Sequence, residues 1–118
     1  LTDSEALALH DAAVHYGLAV LIETHDAEEM RRALQLPGGM IGINNRNLKN
    51  LRTDLTTTWK LAEMVPSDRL LVSESGLKTH ADLCTMAEHG AGCFLVGEHL
   101  LKQPDLIAAT RQLLGDAA

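Results

Sequence analysis

The sequence predicts an α/β fold built on a parallel sheet, and three observations predict it. Short apolar runs recur at Leu18–Ile22, Met40–Ile43, Leu70–Val72 and Cys93–Val96. Longer segments with helical spacing lie between them. Every apolar run is followed by polar or ionisable residues. Each run is too short for a helix and reads as a strand buried on both faces. Strands alternating with helices imply a parallel sheet with helices packed outside it. An open doubly wound sheet and a closed barrel both satisfy this pattern.

The elements follow in order. Thr2 with Glu5 forms a capping-box pattern that opens the first helix, and Gly17 ends it. After the first strand, Asp26 with Glu29 makes a similar pair, and Gly38-Gly39 closes the second helix. The third helical segment stops at Pro66. Thr79 caps the fourth, Gly90 ends it, and Pro104 suits the first turn of the last. The order is α-β-α-β-α-β-α-β-α. No linker-like stretch interrupts it, so residues 1–118 are expected to form a single unit.

Composition narrows the function. The net charge of −6, with 10 Lys and Arg scattered along the chain, argues against a nucleic-acid surface. Trp59, Tyr16 and Phe94 are too few for a base-stacking platform. No apolar run approaches the ~20 residues that span a bilayer. The opening Leu1-Thr2-Asp3-Ser4-Glu5 lacks the features of a secretory signal. It also lacks an initiator Met, which suits a chain that begins partway through a longer protein. Cys84 and Cys93 have no metal-ligand spacing, so both are expected to be small core residues in a reduced, cytoplasmic setting. His10, His15, His80 and His89 fall in helical segments and are expected to pack or face solvent. His25 and His99 lie nearer the strand ends without a metal-like partner, so no metal site is expected.

In parallel α/β folds ligands bind beyond the C-terminal ends of the strands. Those positions hold Glu23-Thr24-His25, Asn44-Asn45-Arg46-Asn47, Ser73-Glu74-Ser75-Gly76 and Gly97-Glu98-His99. All of them would converge on one mouth. Glu23 would stand at the rim of an apolar interior, where partial desolvation suits a carboxylate to acid–base work. A solvent-facing Glu paired with a neighbouring Arg is the plain alternative. Asn44 and Arg46, two apart, would point to one side of an extended chain. Arg46 offers a planar fork for a carboxylate or phosphate, whereas Asn45 and Asn47 are expected to satisfy local backbone. Gly76 and Gly97 would let backbone N–H groups approach an anion.

Together these strings resemble indole-3-glycerol-phosphate synthases. The segments Leu21-Ile22-Glu23-Thr24-His25, Ile41-Gly42-Ile43-Asn44-Asn45-Arg46-Asn47-Leu48, Val72-Ser73-Glu74-Ser75-Gly76 and Phe94-Leu95-Val96-Gly97-Glu98 stand in that family's order across essentially the whole chain. The resemblance implies the C-terminal half of a (β/α)₈ TIM barrel, about strands five to eight with their helices. It implies a carboxy-lyase of tryptophan biosynthesis acting on 1-(o-carboxyphenylamino)-1-deoxyribulose 5-phosphate. That enzyme closes an indole ring with loss of carbon dioxide and water, without an organic cofactor or metal. By motif, Glu23 matches the general base, with Asn44 and Glu74 as catalytic companions. Arg46 matches the residue for the anthranilate carboxylate, Leu48 an apolar substrate contact, and Ser75 the partner of Glu74. Gly76, Gly97 and Glu98 match the phosphate-binding backbone. His99 stands where a Ser is common. The family's lysine on strand three, and a Lys and Glu on strand one, have no counterpart here, so the chain alone is expected to be inactive. Its expected partner is the missing N-terminal half of the barrel. The alternative reading is a non-catalytic half-barrel that associates with a copy of itself and retains phosphate binding.

Overall fold

A computed structural model describes residues 1–116. Four parallel strands, β1 (Leu21–Thr24), β2 (Met40–Asn44), β3 (Leu71–Glu74) and β4 (Cys93–Leu95), pair in the order β1-β2-β3-β4. Each pairs with its neighbour in sequence. A doubly wound sheet reverses its strand order partway, whereas a barrel adds every strand on the same side. The sheet is therefore an arc of a (β/α)₈ barrel, and right-handed crossovers place its helices along one face.

The helices are α1 (Asp3–His15), α2 (Ala27–Ala33), α3 (Thr56–Ala62), α4 (His80–Glu88), α5 (Glu98–Leu101) and α6 (Leu106–Leu114). Thr2 and Glu5 form the expected capping box on α1. Thr79 caps α4 with Asp82 as its reciprocal partner. Asp26 accepts from Glu29 N at 2.8 Å, but the Glu29 carboxylate turns to His25 instead of closing a box. Pro104 lies outside its helix, because Asp105 is the N-cap of α6 and accepts from Ala108 N. The short helix α5 was absent from the expected order; its four residues carry no amphipathic repeat long enough to read.

The first strand begins later than Leu18. Met40 N donates to Val20 O, and the ladder starts at Leu21↔Met40, because Gly39 (φ +100°) turns the chain before β2. Leu18 is exposed. Cys84 is also exposed, on the outer side of α4, and Cys93 is half-buried, so neither is the enclosed core residue expected. His10 is buried, with Nε2 3.1 Å from Gly38 O.

Alternation along the strands separates two faces. Ile41, Ile43 and Leu71 face the helices and pack with Met30, Leu61, Leu83, Met86 and Leu113 in one core. Thr24 and Ser73 are buried on that same face. The concave face holds the row Glu23, Gly42, Val72, Cys93 and, one pleat nearer the strand ends, Asn44, Glu74 and Leu95. Leu21 and Leu95 on this face are 41% and 55% exposed.

Candidate active site at the C-terminal ends of the strands

Three side chains meet on the concave face. Asn44, the last residue of β2, donates from Nδ2 to Glu23 Oε1 on β1 at 2.9 Å. Its Oδ1 accepts from Arg46 N at 2.9 Å, so the amide is held at both ends and its orientation is determined. Glu74 at the end of β3 is buried, and its Oε2 has no hydrogen-bond partner among the described residues. A Cβ on Gly42 would run into that oxygen, so only glycine leaves room for the carboxylate between β1 and β3. Burial, and then the nearby Glu23 charge, raise the Glu74 carboxyl above the usual carboxylate range, while His25 pulls it back.

Asn45 is not the local turn residue expected. It is buried and joins three elements: Oδ1 accepts from Thr58 N (3.1 Å) and Thr58 Oγ1 (2.8 Å) on α3. Its Nδ2 donates to Ser73 Oγ and to Ser75 O. Ser75 and Gly76 both lie at positive φ, +70° and +75°, and the Asn45 bond to Ser75 O helps hold that turn. Asn47 does act locally, with Oδ1 accepting from Lys49 N and Asn50 N.

Arg46 points away from Asn44 across the strand ends. Its guanidinium pairs with Glu98, which also takes Lys102 Nζ at 2.8 Å. Those donors hold the Glu98 carboxyl below the usual range, Lys102 foremost. This pair forms one wall of an open cavity of about 700 Å³. Ser75, Gly76, Val96, Gly97, Glu98 and His99 line it. Lys78 and Lys102 line it too, and sequence reasoning missed both cations. Their spacing was the available signal: Lys78 follows Ser75 by one turn length and Lys102 follows Glu98 by four residues. Leu48 is exposed in the turn after β2, and Leu51 rather than Leu48 reaches the cavity. Among the described residues no group of three or more His, Cys, Asp or Glu could hold a metal ion, and no helix is long and apolar enough to cross a membrane.

A parallel arc with its polar groups gathered beyond the strand ends defines half of a (β/α)₈ barrel, with those groups where that fold binds its ligands. Two solved structures share that fold: the Amycolatopsis orientalis BexX/CysO complex (TM-score 0.62, 15% identity, 97% of this chain and 50% of that one) and native KDPGal (TM-score 0.59, 19% identity, 87% and 53%). The family model for indole-3-glycerol phosphate synthase matches residues 1–113. Indole-3-glycerol phosphate synthases from Azospirillum brasilense and Rhodospirillum rubrum are 55% and 50% identical over 97% and 98% of the chain. The chain belongs to the indole-3-glycerol phosphate synthase family. It spans 44% of the length of each of those two relatives.

Proposed function

We propose that this chain supplies the C-terminal half of the active site of a cytoplasmic indole-3-glycerol-phosphate synthase, a carbon–carbon lyase of tryptophan biosynthesis. One observation carries the reading: Glu23, fixed by Asn44, stands beside the buried Glu74 on the concave face, while Arg46 and Ser75, just beyond Asn44 and Glu74 in the chain, line a cavity that Lys78 and Lys102 also line.

The residues divide the work. Asn44 binds Oε1 of Glu23, and Oε2 has no hydrogen bond among the described residues, so it is the oxygen available to take a proton from the closing ring. Glu74, with its raised proton affinity, presents a carboxyl that can donate to a substrate oxygen. Arg46 exchanges Glu98 for the anthranilate carboxylate, which its planar fork matches in two hydrogen bonds. Backbone N–H groups at Gly76, Gly97 and Glu98 cradle the phosphate, with Lys78 and Lys102 as countercharges. Ser75 holds the turn that presents them, and Leu48, exposed in the turn after β2, offers the substrate an apolar contact. The general acid comes from the N-terminal segment; without it, a factor of ~10²–10⁴ in rate is lost.

A second reading rests on the exposed concave face and the two sheet edges left unpaired among the described residues: a half-barrel that associates with its own copy and binds phosphate without turnover. One assay separates the two. Indole-3-glycerol phosphate fluorescence is followed with the chain alone and after addition of the N-terminal segment of the Azospirillum brasilense synthase. Product only in the mixture is the expected result. Product from the chain alone overturns the split-site account. No product in either, with the intact relative active, favours the second reading.

A further inference from the structure

Building on that reading of Glu23 as base, we propose that His25, clamped by Glu29, relays the proton that Glu23 captures. His25 follows β1, and Glu29 lies on the first turn of α2. The Glu29 carboxylate holds His25 twice through Oε2, accepting from the main-chain N at 2.7 Å and lying 2.9 Å from ring Nδ1. A carboxylate oxygen only accepts, so Nδ1 carries the hydrogen and the free ring position is Nε2. That atom is buried, has no hydrogen-bond partner among the described residues, and lies 3.1 Å from Glu23 Oε1. The contact is close but out of line for a hydrogen bond.

The chemistry follows from the two atoms. When both Glu23 and the imidazole lack the shared proton, a ring lone pair faces a carboxylate oxygen. A proton on either atom removes that repulsion, so the pair is built to hold one. After Glu23 takes a proton from the substrate on Oε2, a half-turn of its carboxyl exchanges the two oxygens, brings that proton to Nε2 and leaves the other oxygen free. Asn44 Nδ2 then donates to the oxygen that gives the proton up. Glu23 is left as carboxylate and His25 as imidazolium, its Nδ1–H still on Glu29. When the Glu23 carboxyl turns back it uncovers Nε2, and the proton leaves that atom for water entering the mouth, which restores the neutral ring with hydrogen on Nδ1. Protons alone move, and the balance closes. The charged groups around His25 are Glu23 on β1, Glu29 on α2 and Glu74 on β3. Asp3 on α1 and Arg32 on α2 share the groove beside it and pair with each other at 2.7 Å. The surroundings are thus mainly acidic. His25 touches Glu23 rather than the ring that closes, so it is a positioning and relay residue.

The test uses this chain completed by the N-terminal segment of the Azospirillum brasilense synthase, with and without added imidazole. In His25→Ala, kcat is expected to fall at least ~10-fold, with KM within about twofold of wild type. Free imidazole should restore kcat in proportion to its concentration, a response that loss of packing alone does not produce. Glu29→Gln should show a smaller loss with the ring still in place. Ring ¹⁵N NMR of the unsubstituted chain should report hydrogen on Nδ1 in the neutral form. Wild-type kcat in His25→Ala, a loss that imidazole leaves unchanged, or a neutral ring protonated on Nε2 would each overturn the relay. Glu23→Gln in the same barrel separates the two levels. If it is crippled while His25→Ala is not, the relay alone is wrong. If it turns over normally, the reading of Glu23 as base is wrong and the relay falls with it.

Discussion

Glu74 illustrates how one side chain ties site chemistry to stability. Its carboxyl is buried against Gly42 with Oε2 unsatisfied, and burial with the neighbouring Glu23 raises its proton affinity. A carboxyl whose folded value lies above its unfolded value holds its proton more tightly in the native state. Stability is then greatest below the ordinary carboxylate range and falls as pH rises through the raised value. Glu74→Gln keeps the shape and removes the titration. Relative to wild type, the variant's Tm should change little near about pH 4 and gain progressively toward about pH 7. Thermal unfolding across that range checks it, and parallel curves would show that Glu74 is not strained by its burial. The position of Glu74 was legible in sequence because it follows an apolar run, as Glu23 and Asn44 do. Its unsatisfied oxygen was not, because that depends on Gly42 in the neighbouring strand.

At the scale of elements, the sequence marked helix starts better than it marked ties between helices and strands. Capping at Thr2 and Thr79 is written within four consecutive residues and was readable. Asn45 was misread as local because its partners, Thr58, Ser73 and Ser75, lie 13 to 30 positions away. Strand β1 was placed too early for a similar reason: where its ladder begins depends on the turn at Gly39. The tie at Asn45 has a measurable consequence. Asn45→Ala leaves the buried Thr58 N and the half-buried Ser75 O without their partner, at about 1–3 kcal/mol for a fully buried group and less for the half-buried one. Urea unfolding should show a loss of roughly 2–4 kcal/mol. Asn47→Ala, which removes only exposed turn bonds, should lose far less. Equal losses would mean that Asn45 does no more than shape its own loop.

Over the whole molecule, the half-barrel leaves open what a parallel sheet ordinarily covers. Helices cover one face, while Leu21 and Leu95 stay exposed on the other, and among the described residues β1 and β4 each keep an unpaired edge. Apolar patterning could not choose between barrel and doubly wound sheet, because strand order is a long-range property. The motif strings decided it, and the order β1-β2-β3-β4 agrees. Two forces then act between copies of the chain. Burial of the concave face and edges draws them together, while a net charge of −6 on each pushes them apart. Salt screens the second force, with a Debye length of roughly 30 Å at 0.01 M and 3 Å at 1 M, and leaves apolar burial in place. The sedimentation coefficient should therefore rise with protein concentration, and more steeply at high salt. Leu95→Lys, on the concave face, should weaken that rise. Adding the N-terminal segment of the Azospirillum brasilense synthase should replace self-association with a one-to-one complex, since it would occupy the same face and edges. A chain that stays monomeric in high salt would show that the concave face is tolerated in water. Self-association that persists beside the added segment would place the contact on the helical side instead.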